Sequence, residues 1–83
     1  MTVATHSPAP RLTRSTPVHL QPASSGLWRV LDAHGHILGH LERAGDEGEG
    51  RWRARRLNPL RRQFQSLGEF WSPDDAVDCI RYL

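Results

Sequence analysis

The clearest local signal in the sequence lies at its carboxy-terminal end, where Ser72-Pro73-Asp74-Asp75 is typical of a helix start. Ser72 can accept a hydrogen bond from an unpaired backbone amide, and Pro73 suits the first helical position. Asp74 and Asp75 complement the positive end of the helix dipole. Apolar residues then recur at helical spacing, namely Ala76, Cys79, Ile80 and Leu83. The sequence therefore predicts one carboxy-terminal helix whose apolar face needs a second layer to cover it.

Four segments before this helix alternate in the manner of β-strands: residues 27–32, 36–41, 51–57 and 63–70. Gly35 can take the positive φ of a tight turn between the first two, and Asn58-Pro59 interrupts the chain between the last two. Residues 42–50 are rich in glycine and acids and are predicted to form a loop. We expect an α+β fold with a three- to four-stranded antiparallel sheet and one carboxy-terminal helix packed on one face.

The first 26 residues have a different composition. They contain four of the six prolines, many Ser and Thr, two arginines and no acid. Such a segment buries too little apolar surface to offset its ordering entropy, so residues 1–26 are predicted to be a disordered Pro/Ser/Thr-rich tail. The tail lacks the apolar core of a secretory signal, although its composition also has features of a transit peptide. Residues 27–83 are then expected to form a single small sheet-plus-helix domain.

Strand alternation divides the domain into two faces. The face predicted to lie under the helix carries Trp28, Val30, Ile37, Leu41, Trp52 and Ala54. The opposite face carries Arg29, His36, His40, Arg51, Arg53 and Arg55, together with Leu31 and Leu38. This predicts an open, arginine-bearing sheet surface with apolar contacts in it.

The placement of charge is more informative than its total. All eleven basic residues are arginine and the net charge is +2, but residues 27–83 hold as many acids as arginines. Six arginines are nevertheless crowded into residues 51–62. A sheet can enter the DNA major groove, and arginine suits bidentate contacts to guanine and phosphate. An exposed sheet face is also an ordinary place for arginine, and nearby acids can pair with the run and cancel it, so both interpretations stay open.

The carboxy-terminal half resembles a known arrangement. Trp52-x-Ala54, Leu67-Gly68-x-Phe70 and Ser72-Pro73-Asp74-Asp75-Ala76 look like the DNA-binding domain of plant ethylene-response factors. They are also similar to the arm-binding domains of tyrosine recombinases. This resemblance over about residues 51–80 implies a DNA-reading sheet, with contacts from Arg29, Arg51, Arg53 and Arg55. The whole body also resembles short proteins of high-GC actinobacteria, which implies a bacterial cytoplasmic protein but no particular activity.

Other candidate sites have weaker patterns. His34, His36 and His40 form H-x-H-x₃-H, but the last two are about 13 Å apart along a strand, too far for one metal ion. Cys79 lies on the predicted helix stripe and is interpreted as a buried structural thiol. No serine elbow or phosphate-binding glycine loop is present. We therefore expect no catalytic residue, metal or cofactor.

The sequence thus predicts a small non-enzymatic module that binds nucleic acid, with DNA as the favoured ligand, through Arg29, Arg51, Arg53, Arg55, His36 and His40. The alternative is a protein-interaction or homodimerisation module in which Leu31, Leu38 and Phe64 dock a partner or a second copy. The short apolar stretches predict no membrane span.

Overall fold

The computed structural model of the chain describes residues 9–45 and 50–82. Five strands form one antiparallel sheet in chain order, and a single helix follows them. The elements are β1 (His19–Ser24), β2 (Leu27–Leu31), β3 (Ile37–Ala44), β4 (Arg51–Asn58), β5 (Gln63–Phe70) and α1 (Pro73–Tyr82). The predicted class is confirmed, because α1 packs against β3, β4 and β5. The sheet has five strands rather than the three or four expected.

The additional strand comes from the segment predicted to be a tail. Residues 19–24 form β1 at one edge of the sheet, with His19 opposite Leu31 and Leu20 opposite Val30. Leu20 packs against the core. Pro22 is compatible with this position because an edge strand can leave one side of its backbone unpaired. The prediction of a disordered segment was therefore wrong for these residues, whereas residues 1–8 lie outside the described part of the chain.

The third strand continues beyond its predicted end. Residues 42–44 pair with β4 instead of starting a loop, so that Glu42 lies opposite Arg53 and Ala44 opposite Arg51. Ala44 is buried. The rest of the predicted acidic loop, residues 46–49, lies outside the described residues.

Two tryptophans form the centre of the core. The rings of Trp28 and Trp52 are 5.8 Å apart, and the guanidinium of Arg43 lies 4.6 Å from the Trp52 ring. Around them are the other buried apolar side chains of the core cluster: Val30, Leu41, Ala54, Ala76, Val77 and Ile80. Burying this set on one face separates the sheet into a helix-covered side and an open side.

One predicted face assignment changes at the start of β3. The register between β2 and β3 shifts here: Val30 pairs with Gly39, but Leu31 pairs with Ile37. Leu38 therefore has no partner in β2 and forms a β-bulge. As a result Leu38 packs against the core, whereas Ile37 is 40% exposed. The expectation that Ile37 is covered and Leu38 is open was wrong, because a bulge resets strand alternation.

The helix begins as predicted. The Ser72 hydroxyl accepts a hydrogen bond from the Asp75 amide at 3.3 Å, and the Ser72 carbonyl accepts one from Ala76. The apolar stripe is rotated from the prediction, since Val77 is buried and Cys79 is only half-buried. The predicted fully buried thiol is therefore not observed, and Leu83 lies outside the described residues.

Candidate nucleic-acid interface

The predicted alternation of β4 is confirmed. Trp52 and Ala54 are buried beneath the helix, whereas Arg51, Arg53 and Arg55 are half-buried between them. Arginine side chains at alternate positions of a strand point to the same side. The three arginines therefore share the open face of the sheet.

Two glutamates on neighbouring strands pair with these arginines. Glu42 of β3 accepts hydrogen bonds from Arg53 at 3.0 Å and Arg55 at 3.4 Å. Glu69 of β5 accepts from Arg51 at 2.9 Å and from Arg53 at 3.3 Å. The register explains this, because it places Glu42, Arg53 and Glu69 side by side across three strands. The sequence left open whether nearby acids pair with the arginine run. In the structure they do.

This pairing changes the electrostatics of the open face. The hydrogen bonds that Arg53 donates to Glu42, and next those to Glu69, raise the pKa of Arg53 above its ordinary value. Among the described residues, two carboxylates pair with the three guanidinium groups and offset much of the positive charge of the row. An arginine already bound to carboxylates must exchange those contacts to bind a phosphate, which reduces the gain.

Arg29 and His40 lie beside this row. His40 is opposite Arg29 on one side and Arg55 on the other. Arg29 donates a weak hydrogen bond to Gln21 at 3.4 Å. Burial lowers the pKa of His40, and the positive charges of Arg29 and Arg55 lower it further, against a smaller opposite effect of Glu42. Burial and the two arginines thus favour the neutral form of the His40 imidazole.

His36 does not lie on this face. It occupies the turn between β2 and β3, where Asp32 accepts hydrogen bonds from the backbone amides of His34 and His36, both at 2.8 Å. The His36 imidazole is 3.3 Å from the same carboxylate. Gly35, at φ +86°, completes this turn. The predicted site residue His36 is therefore a turn residue, because β3 starts one position later than expected.

Most of the arginines that lack a carboxylate lie away from this row. Among the described residues, six arginines make no ion pair with an acid: Arg11, Arg29, Arg56, Arg61, Arg62 and Arg81. The last four lie toward one end of the molecule. Arg61 and Arg62 lie in the turn between β4 and β5, and Arg56 and Arg81 line one hollow of about 170 Å³ together with Pro59. We call these four residues the basic end. The sequence prediction missed it because it ranked arginines by strand alternation and not by their distance from acids.

The turn of the basic end is held by its own backbone contacts. The Asn58 side-chain oxygen accepts hydrogen bonds from the amides of Leu60 at 3.0 Å and Arg61 at 3.3 Å. Arg62 has a positive φ of 52°. Leu60 lies in the same turn and is 94% exposed. This arrangement presents Arg61 and Arg62 to solvent on a hydrogen-bonded turn.

Two further hollows border this turn. One of about 270 Å³ is lined by Arg56, Leu57, Asn58, Pro59 and Gln65. The other, of about 350 Å³, is lined by Asn58, Arg61, Gln63, Phe64 and Gln65. Guanidinium and amide groups dominate both linings. The basic end therefore offers several hydrogen-bond donors without a described carboxylate among the lining residues.

The amino-terminal end of α1 is acidic, and its aspartates are bound by residues from the start of the chain. Asp74 is 6% exposed and accepts hydrogen bonds from the Thr13 amide at 2.9 Å, the Thr13 hydroxyl at 2.8 Å and the Arg14 amide at 3.0 Å. The bond from the Arg14 backbone, followed by those from Thr13, lowers the pKa of Asp74 despite its burial. Arg14 also pairs with Asp75 at 2.7 Å and with Asp78. We call these contacts the N-terminal clasp.

Comparison with models of protein families, with curated proteins and with solved structures finds no match. The resemblance to ethylene-response factors and recombinase arm-binding domains stays a prediction. In the described ranges, no group of three His, Cys, Asp or Glu side chains is placed to hold a metal ion. No helix among the described residues is long and apolar enough to cross a membrane.

Proposed function

We propose that this protein is a small non-enzymatic module that binds nucleic acid through its basic end. The predicted site centred on Arg51, Arg53 and Arg55 is thereby moved along the sheet, toward the β4–β5 turn. Arg29, His40 and Arg55 form the border of the new site on the open face.

The distribution of paired and unpaired charges carries this proposal. Each of the six acids in the described residues accepts a hydrogen bond from within the chain: Asp32, Glu42, Glu69, Asp74, Asp75 and Asp78. The basic end has four guanidinium groups without an acidic partner in the described ranges. Arginines without an acidic partner in the described residues are consequently concentrated near the β4–β5 turn, at Arg56, Arg61 and Arg62.

Arginine clusters of this kind favour phosphate. The guanidinium fork matches phosphate oxygens in a bidentate geometry, and release of condensed counterions adds a driving force that falls with salt. Asn58, Gln63 and Gln65 add neutral donors and acceptors at the same place. A nucleic-acid backbone offers repeated phosphates that can engage several of these groups together.

Salt-dependent binding tests the proposal. The affinity of fluorescently labelled random-sequence DNA, as duplex and as single strand, is measured by fluorescence anisotropy at a series of salt concentrations. The triple variant Arg56→Ala/Arg61→Ala/Arg62→Ala should bind more weakly. For each phosphate that the variant no longer neutralises, the salt slope should decrease by about 0.9 on the duplex and by about 0.7 on the single strand. Arg11→Ala is the matched control, because Arg11 is exposed, has no acidic partner among the described residues and adjoins the N-terminal clasp.

Two outcomes contradict the proposal. One is the absence of binding to either form of DNA at low salt. The other is an equal loss of affinity in Arg11→Ala and in the triple variant when each is corrected for the number of charges removed, which would indicate general attraction without a site.

A second candidate, self-association, is favoured by the open edge of β5. Strand β1 is protected at its edge by Pro22 and a register irregularity, both of which discourage strand addition. Strand β5 has no proline, one charged residue (Glu69) and no strand on its outer side in the described residues. Leu60 and Trp71, 94% and 76% exposed, flank its two ends.

Sedimentation equilibrium distinguishes this candidate. If two copies pair through β5, Ser66→Lys should dissociate the dimer, because a lysine on each edge strand adds repulsion at the interface. Gln21→Lys is the matched control on the β1 edge. A monomer at all accessible concentrations would eliminate self-association and leave the nucleic-acid proposal unaffected.

A further inference from the structure

An aromatic pair lies on the open face beside the basic end. The rings of His40 on β3 and Phe64 on β5 are stacked, with centroids 4.1 Å apart and planes inclined by 14°. They meet across β4, the strand that pairs with both β3 and β5. Phe64 remains 40% exposed and borders the 350 Å³ hollow that contains Arg61. The stack therefore includes an aromatic ring that is partly exposed on the open face.

Positive groups lie near both members of the pair. Arg29 and Arg55 lie opposite His40 on its two neighbouring strands, and Arg61 lines the hollow that Phe64 borders. One described carboxylate, Glu42, is close, and it is bound to Arg53 and Arg55. Burial, and next the charges of Arg29 and Arg55, lower the pKa of His40. The pair is therefore an aromatic platform with an arginine rim.

We infer that the ligand is a single-stranded nucleic acid, one base of which stacks on Phe64 while its phosphates contact Arg61. This inference rests on the proposed function and adds the class of ligand to it. Aromatic platforms next to basic grooves are the general means by which proteins hold single strands, because every base has a stacking face. In a duplex those faces are already stacked on neighbouring base pairs, so an aromatic ring on a sheet surface can use them only in unpaired strands.

The amide side chains around the ring are consistent with this ligand. Asn58, Gln63 and Gln65 line the same hollows as Phe64 and Arg61. An amide can both donate to and accept from the Watson–Crick edge of a base, which is accessible only when the base is unpaired. The ring of Phe64 and the guanidinium of Arg61 thus border one hollow together with amide side chains.

Competition between single and double strands tests the inference. The full-length protein is titrated with a labelled oligothymidylate and with a duplex of the same length, at one salt concentration. The wild type should bind the single strand at least about tenfold more tightly. Phe64→Ala should lose about tenfold in single-strand affinity, in line with the removal of one base–aromatic stack, and should change duplex affinity little.

Two further variants separate stacking from folding. Phe64→Leu keeps apolar volume without a ring and should bind as weakly as Phe64→Ala, whereas Phe64→Tyr keeps the ring and should bind like the wild type. Trp71→Ala removes an exposed aromatic residue outside the platform and should leave affinity unchanged. Circular dichroism melting of each variant identifies any general loss of structure.

The failure of this inference differs from the failure of the proposed function. If the duplex is bound as tightly as the single strand, or if Phe64→Leu binds like the wild type, the base-stacking platform is wrong while nucleic-acid binding at the basic end stands. If neither DNA form binds at low salt, both are wrong. If dimers form and Phe64→Ala dissociates them without altering DNA affinity, Phe64 belongs to a protein interface instead.

Discussion

The two ends of the helix-covered sheet carry opposite charge and are completed in different ways. At the start of α1, three aspartates are bound by Thr13 and Arg14 of the N-terminal clasp. At the basic end, Arg56, Arg61, Arg62 and Arg81 have no acidic partner in the described part of the chain. The acidic end is therefore satisfied within the molecule, and the basic end is available to a ligand. A charged ligand therefore gains more electrostatic binding free energy at the basic end, since charges that are already paired offer little new attraction.

The strongest test of the acidic end is Asp74→Ala. The carboxylate is nearly buried and accepts bonds from two backbone amides and one hydroxyl, so its removal leaves several donors unsatisfied. We expect the free energy of unfolding to fall by about 2 kcal/mol, since hydrogen bonds to charged groups contribute roughly 1.5–3 kcal/mol each and the loss is partly offset by water. Urea denaturation followed by tryptophan fluorescence measures it.

A second measurement shows whether the clasp itself has opened. Trypsin should cleave after Arg14 faster in Asp74→Ala than in the wild type, because the segment is no longer held. Asp75→Asn is the control, since Asp75 is exposed and contributes a surface ion pair. Equal cleavage rates in all three proteins would show that Asp74 does not hold the N-terminal segment.

The two faces of β4 and the start of the helix could be predicted from the sequence. Alternation of Trp52 and Ala54 with Arg51, Arg53 and Arg55 is a local pattern with a strong apolar difference, and the two faces of β4 follow from it. The helix cap at Ser72 is equally local. Both depend on residues a few positions apart, where spacing alone determines the geometry.

The parts that were missed depend on contacts between distant residues. The bond between Thr13 and Asp74 joins positions 61 apart in the chain, and Asp74 already had a local explanation as a helix-dipole residue. Strand β1 contains Pro22 and little apolar surface, and it is stabilised mainly by backbone pairing with β2. The neutralising glutamates Glu42 and Glu69 lie beside Arg53 only after three strands have aligned. Single-sequence patterns do not contain this information.

Charge-reversal variants at the two ends test which end binds DNA. Arg61→Glu/Arg62→Glu should lower DNA affinity by about tenfold or more at low salt, because two phosphate contacts become repulsions. Asp75→Lys adds positive charge at the acidic end and should change affinity by less than about threefold, since screening limits its effect over a distance beyond about 10 Å. Anisotropy titrations with the same oligonucleotide compare the two. A larger effect from Asp75→Lys would place the binding site at the acidic end.

The smallest expected effect is a pH dependence that differs between the acidic end and the open face. Burial and two arginines lower the pKa of His40, so the unfolded chain takes up a proton at a higher pH than the folded one. Stability should therefore decrease as pH falls below about 6.5, and this part should level off below the folded-state pKa of His40. Hydrogen bonds lower the pKa of Asp74, so its stabilisation is complete above the ordinary aspartate value of about 3.9 and is lost only as pH falls further.

Urea midpoints measured across the acid range separate these two contributions. His40→Gln should flatten the upper part of the profile, between about pH 7 and 5, and leave the lower part unchanged. Asp74→Asn should do the reverse, and reduce only the decrease near and below about pH 4. If His40→Gln leaves the upper part as steep as in the wild type, the imidazole is not held neutral between Arg29 and Arg55. The charges of Arg29 and Arg55 would then be largely screened by solvent at His40, because two unscreened guanidinium groups disfavour a neighbouring imidazolium. The positive field around the platform would be correspondingly small.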